Sequence, residues 1–336
     1  MKSNQPEFGL VLTGGGAKGA YQAGAIQYIS ELGLQPQIIA GTSIGALNGA
    51  VLSSYYPFTH AVERLNQFWE QLGEAEILRP HTGALLHTFS YAAQAFVPRL
   101  RHWLVDFFIK QGLKHTSTSI FDPEPIEYFL KQAVHPNTLR KNIELWVTVF
   151  PSLKIPGLGY DLLIDLIRAK TGSNACWLCL QDCLDDETIY NLLLASAALP
   201  LAFPSREING QNYIDGGLVD NIPLKALAKR GCKNVIVIHL QNGSVWDRDD
   251  FPEQTIIEIR PQQTINKSEV PVVGVVESWL NFSSKRIQEL KQRGYEDAKC
   301  CLNPIIDSLI SVREYRQSQI SLIDSTEKLL MMLRCE

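Results

Sequence analysis

Apolar positions recur along this chain in two rhythms, and the first fifty residues contain both. Phe8 to Thr13 (FGLVLT) is a short, nearly continuous apolar run of the kind a buried strand presents. Gly14, Gly15 and Gly16 interrupt it, and the spacing of Ala20, Ala23, Ile26 and Ile29 then predicts a helix running from Lys18 to Gly33. Gln37 to Ala40 predicts a second strand, Gly41 to Gly45 a sharp turn, and Ala46 to Ser53 the start of another helix. An order of strand, glycine loop, helix, strand, turn, helix implies parallel strands joined by right-handed crossovers.

The rest of the chain continues in the same style. His60 to Leu72 has an amphipathic helical pattern, Ile143 to Phe150 reads as a strand, and Pro151 to Gly172 as an insertion. Asn174 to Gln181 predicts a strand, and Asp185 or Asp186 suits the N-cap of a helix running to Ala198. Asn234 to Leu240 (NVIVIHL) has the unbroken apolar character of a strand buried on both faces. After Val270 the pattern is mainly helical. There is no internal repeat and no low-complexity linker. These elements predict one α/β core over residues 8–230, with sheet and helices continuing to about residue 300, and a helical C-terminal extension over 301–336.

Composition narrows the class. Of 336 residues, 45% are hydrophobic and 20% charged, an ordinary globular balance. The net charge of −4 and the lack of a Lys/Arg stripe argue against a nucleic-acid partner. No stretch has the apolar length of a signal peptide or of the roughly 20 residues a spanning helix needs. The expectation is a soluble, cytoplasmic chain whose membrane contact is peripheral. Cys176, Cys179 and Cys183 are clustered among seven cysteines, but no second Cys or His pair stands at zinc-finger spacing. They are expected to be reduced thiols acting as small apolar side chains, with no metal bound. Residues 80–112 are rich in aromatics, with Arg99, Arg101 and Lys110 around an apolar middle. Two readings stand there: a lid or interfacial surface, or an ordinary helix packed on the core.

Three stretches carry candidate chemistry. Gly41-Thr42-Ser43-Ile44-Gly45 is a G-x-S-x-G at a strand-to-helix turn. Such a turn strains the central residue, pushes its side chain out, and needs small neighbours because backbones crowd there. Gly14-Gly15-Gly16-Ala17-Lys18-Gly19 satisfies the G-x-G-x-x-G pattern of dinucleotide-binding loops. That reading also expects an acid about twenty positions on, and Leu34 to Gly41 has none. A phosphate-binding loop would need Ser or Thr after Lys18, where Gly19 stands. The same glycines could instead aim backbone N–H groups at a carbonyl oxygen beside Ser43. The third stretch, Tyr213 to Pro223, holds Asp215-Gly216-Gly217, by itself a common turn.

Taken together and in this order, the glycine loop, the elbow and the Asp-Gly-Gly turn resemble those of patatin-like phospholipases. The run Ala195-Ser-Ala-Ala-Leu-Pro200, with Phe203-Pro204 after it, is similar to that family too. The resemblance covers roughly residues 8–230. It implies a three-layer α/β/α fold with a mainly parallel sheet, and a Ser–Asp dyad that hydrolyses lipid or phospholipid acyl esters without a cofactor. By motif position Ser43 is the nucleophile, Asp215 the proton acceptor, and Gly14 to Gly19 the oxyanion loop. Two positions depart from the pattern: Thr13 stands where many members have an acid, and Lys18 where many have Arg. A dyad also needs a stronger base than an ordinary Asp, whose pKa is near 3.9. Three alternatives remain open at this point. One is a triad of Ser43, Asp215 and His239, which has the chain order of α/β-hydrolases. The others are a dinucleotide-binding enzyme using the glycine loop, and a non-catalytic lipid-binding scaffold.

Overall fold

In the computed structural model, residues 6–75, 124–152, 175–198, 204–243, 246–265 and 281–333 are described. The candidate lid at 80–112, the insertion beyond residue 152, and Pro200 and Phe203 lie outside them.

Strand β1 (Phe8–Leu12) leads through a single 3-10 turn at Gly16–Lys18 into α1 (Gly19–Glu31). Next come β2 (Ile38–Thr42), α2 (Ile44–Ser53) and α3 (Phe58–Glu74). They are followed by α4 (Glu124–Ala133), the one-turn α5 (Pro136–Leu139), β3 (Glu144–Ser152), β4 (Cys176–Cys179) and α6 (Asp186–Ser196). The remaining elements are β5 (Arg206–Ile208), β6 (Gln211–Asp215), α7 (Leu224–Lys229), β7 (Asn234–Ile238), β8 (Thr255–Ile259) and α8 (Ser284–Leu333).

The strands form one sheet in the order β5-β6-β3-β2-β1-β7-β8, with β4 also paired to β3. The five strands β3, β2, β1, β7 and β8 are parallel, whereas β4 and β6 run antiparallel to β3, and β5 to β6. Side chains alternate across the sheet, so β1 feeds two cores. Leu10 and Leu12 face a core to which α1 to α6 and α8 all contribute. Val11 faces the other way, onto Ile38, Ala40, Val235, Val237 and the α7 residues Leu224 and Leu227. The result is the three-layer α/β/α arrangement with a mainly parallel sheet. Leu12 lies level with Gly41 on one side and Ile238 on the other, so the chain segments after β1, β2 and β7 emerge together at one edge.

Several boundaries move for local reasons. The strand expected at 174–181 is confined to Cys176–Cys179, because Leu180–Asp182 wind into a 3-10 turn. Asp185 caps α6 by accepting the Thr188 N–H at 2.7 Å. That helix stops at Ser196, two residues short of the expected end. Strands β5 and β8 are additions to the sequence reading; the first has only three residues, and both sit at the ends of the sheet, where alternation is weak.

Helix α8 packs along α1 in the same direction. Arg286 lies near Lys18 at the start of α1, and Asn303 hydrogen-bonds the Tyr28 hydroxyl towards its end. The two backbones touch at glycines. A Cβ on Gly24 would stand 1.8 Å from the Lys291 carbonyl oxygen, and one on Gly294 would stand 1.9 Å from that of Tyr21. Helix α8 runs on without a break through residue 301 and Pro304. Beyond Ile306 it turns its apolar side chains to solvent, Leu309 and Leu322 being about two-thirds exposed at 65% and 69%.

Candidate active site

The elbow between β2 and α2 carries Ser43 at φ 56° and ψ −125°, a left-handed conformation rare for a non-glycine residue. Its neighbours make that conformation possible. A Cβ on Gly45 would stand 2.2 Å from the Leu12 carbonyl oxygen, so only glycine lets α2 start this close to β1. Ser43 occupies the N-cap position of α2, yet its side chain makes no capping bond. The hydroxyl instead lies near enough to the Asp215 carboxylate to favour its charged form.

Asp215 reaches Ser43 through sheet register. Thr42 pairs with Thr148 on one edge of β3, and Asp215 pairs with Val149 on the other. The two residues that end β2 and β6 therefore flank the same two positions of β3. Asp215 is only 2% exposed and accepts the Gly217 N–H at 2.7 Å. Burial disfavours its charged form and raises its pKa from 3.8 to about 7, against the opposing pull of the Gly217 and Ser43 hydrogen bonds. The weak basicity of an exposed Asp is thus corrected by the site itself.

The glycine loop comes to the same place. A Cβ on Gly14 would meet Ser43 Cβ at 3.1 Å and Asn221 Oδ1 at 2.6 Å. Within the loop, several amides are committed. Gly14 N–H goes to Asn221 Oδ1 at 2.9 Å, Lys18 N–H to Gly15 O at 3.3 Å, and Gly19 N–H to the carbonyls of Gly16 and Ala17. The amides of Gly15 and Gly16 have no acceptor among the described residues. Thr13, one of the two departures from the family pattern, anchors the loop through its hydroxyl. Its hydroxyl donates to Ile238 O at 3.2 Å and accepts Leu240 N–H at 3.1 Å, tying β1 to β7. Under the loop lies a buried polar chain. Gln22 donates to Thr13 O, Asn48 donates to Gln22 and to Gly19 O, and Trp69 donates to Asn48. Lys18 is buried as well, and burial together with nearby Arg286 lowers its pKa to about 8.

Three supporting residues have no counterpart in the sequence reading. Ser196, fully buried, accepts the Ser43 N–H at 2.9 Å and donates to Thr148 O at 2.8 Å. Asp220 accepts Trp177 Nε1–H at 2.9 Å and Ile222 N–H at 3.2 Å, while its carbonyl receives the Thr42 hydroxyl at 3.2 Å. Asn221 holds Gly14 from both sides, accepting its N–H and donating Nδ2–H to its carbonyl at 3.3 Å. The signal for the last was present as the Asn-Ile-Pro that follows the Asp-Gly-Gly turn.

His239 is fully buried beyond the end of β7, and its Nε2 is engaged by Glu258 at 2.7 Å. Burial and then the Arg260 charge lower its pKa to about 4, so the ring is neutral at pH 7. The Asp215 carboxylate accepts from Gly217, and the described hydrogen bonds of the His239 ring go to Glu258 and not to Asp215. Cys176, Cys179 and Cys183 are partly buried free thiols. Among the described residues no group of His, Cys, Asp or Glu could hold a metal ion, and no helix is long and apolar enough to cross a membrane.

A serine on a strained strand-to-helix elbow, close to a buried carboxylate, sits in a three-layer α/β/α fold of the patatin type. The chain belongs to the patatin-like phospholipase family, a family of lipid ester hydrolases, whose model matches residues 10–228. It is 24% identical to lysophospholipase NTE1 of Saccharomyces cerevisiae over 240 residues, 71% of this chain and 11% of that protein. Identity is also 24% to the mouse (Mus musculus) patatin-like phospholipase domain-containing protein 7 over 247 residues, 72% of this chain and 14% of that one. The chain therefore spans about an eighth of the length of these relatives. Among solved structures it is similar to human GIVD cytosolic phospholipase A2, with a TM-score of 0.46 and 10% identity, covering 93% of this chain and 63% of that one.

Proposed function

We propose that the protein hydrolyses carboxylic esters of membrane lipids, phospholipids or lysophospholipids, with Ser43 as nucleophile and Asp215 as its base. One observation carries the reading: sheet register brings the strained Ser43 up to a buried carboxylate, Asp215, whose pKa burial raises to about 7. Ser43 Oγ attacks the ester carbonyl while its proton passes to Asp215. The new oxyanion falls to the Gly15 and Gly16 amides, where one well-aimed donor lowers the barrier by about 3 kcal/mol. Asp215 then returns the proton to the departing alcohol, leaving an acyl-serine. A water molecule, deprotonated by Asp215, attacks the acyl-serine; the fatty acid leaves and Asp215 returns the proton to Ser43 Oγ. The scheme calls for neither metal nor cofactor.

The dyad is preferred to a triad because Glu258, and neither Ser43 nor Asp215, engages His239 Nε2. It is preferred to a dinucleotide site because Gly14 packs against Ser43, and the strand after the loop ends at the elbow rather than at an acid. A scaffold would need neither a strained serine nor a buried carboxylate facing it. The names of the relatives, a lysophospholipase among them, agree with the substrate class. The free thiols fit a reducing, cytoplasmic setting, with contact to the membrane only at its surface.

The test is mass spectrometry of a mixed lipid extract incubated with the protein and with its Ser43→Ala variant. Fatty acid should appear with the first and not with the second. Equal release by both would remove Ser43 from the chemistry.

A further inference from the structure

We infer that Asn221 is a positioning residue that builds the oxyanion site by fixing the Gly14 peptide. The inference rests on the reading of Ser43 and Asp215 given above. Asn221 lies six residues after Asp215, on the segment that follows the base. Gly14 opens the loop after β1, 207 residues earlier in the chain. The single carboxamide satisfies both polar groups of Gly14: Oδ1 accepts its N–H at 2.9 Å, and Nδ2–H donates to its carbonyl at 3.3 Å.

Two such bonds fix the orientation of one residue as a strand pair would, and they do so where glycine otherwise has the widest freedom. The orientation matters because the following two amides, of Gly15 and Gly16, are those without an acceptor among the described residues. Gly14 itself lies so close to Ser43 that a Cβ would stand 3.1 Å from the Ser43 Cβ. Donors aimed at a developing oxyanion act only when held before the reaction begins. The same Oδ1 would stand 3.2 Å from a Cβ on Gly217, the residue whose amide holds Asp215. Asn221 therefore sits between the loop that stabilises the oxyanion and the turn that orients the base. It is hydrogen-bonded to the first and packs close to the second.

The test compares wild type with Asn221→Ala and Asn221→Asp on a soluble carboxylic ester and on the matched thionoester, whose sulfur fits an oxyanion site poorly. Wild type should hydrolyse the oxygen ester much faster. In Asn221→Ala, kcat for the oxygen ester should fall at least tenfold with KM within about twofold, and the preference over the thionoester should fall by a similar factor. A merely structural loss would lower both substrates alike and leave the preference intact. If the alanine variant does not fold, Asn221→Asp keeps the shape and the acceptor but cannot donate to the Gly14 carbonyl, and the preference should fall there too. An unchanged ester-to-thionoester ratio in the folded variants would overturn the assignment. Failure of the underlying reading would look different: Ser43→Ala would stay active, and a fluorophosphonate would leave Ser43 of the wild type unlabelled.

Discussion

Asp215 meets two demands that pull in opposite directions. Its pKa is raised from 3.8 to about 7 by burial, so the folded state holds a proton that the unfolded chain has already released. Between about pH 4 and pH 7 the unfolded state therefore binds fewer protons, and stability falls as the pH rises through that window. Activity has the opposite slope, because the base must be ionised; kcat/KM should rise to a plateau above about pH 7. Asp215→Asn removes the buried charge while keeping an acceptor for Gly217. It should abolish hydrolysis yet leave the protein more stable than wild type at pH 8, by up to about 4 kcal/mol, as read from urea unfolding. A variant that is inactive and also less stable would argue that the carboxylate is not held against its preference. His239 is a different case. Its buried ring braces Glu258, so His239→Ala should lower stability by about 1–3 kcal/mol while kcat stays within about twofold. Loss of hydrolysis in a folded His239→Ala protein would restore the triad.

At the scale of elements, the site depends on places where main chains meet. α1 and α8 approach through Gly24 and Gly294, so Gly24→Ala or Gly294→Ala must push two backbones apart. Each should cost about 1–3 kcal/mol and lower the melting temperature, and a neutral result would mean that the helices can slide to make room. Local signals made much of this level legible. The β1–loop–α1 and β2–elbow–α2 units could be read from the sequence because strand, glycine and helix signals fall within a few residues of one another. The Asp185 cap was readable for the same reason. Elements at the sheet ends were not: β5 and β8 are short, and their pairing supplies what their pattern lacks. The site itself was half legible. Ser43 announces itself through its elbow, whereas the contact with Asp215 depends on where Thr42 and Asp215 fall along β3, a matter of register between distant segments. Ser196 and Asn221 lie in runs the sequence singled out, but their roles depend on backbone groups 153 and 207 residues away and could not be read from those runs.

Among the described residues, helices α1 to α6 and α8 all contribute to the core on one face of the sheet, and α7 with its neighbours packs on the other. The far part of α8 belongs to neither layer. A chain ending at Ser308 should keep its melting temperature and its hydrolytic rate on a soluble ester, as calorimetry and product assay would show. A large drop in either would mean that the distal helix supports the core. The direction of α8 has a consequence of its own. It starts beside Lys18, near the reactive edge, and follows α1 away from it before leaving the core. Its exposed stretch thus lies on the side of the domain opposite the edge that carries Ser43 and Asp215. A label or partner joined to that stretch would sit away from Ser43 and leave the reactive edge uncovered.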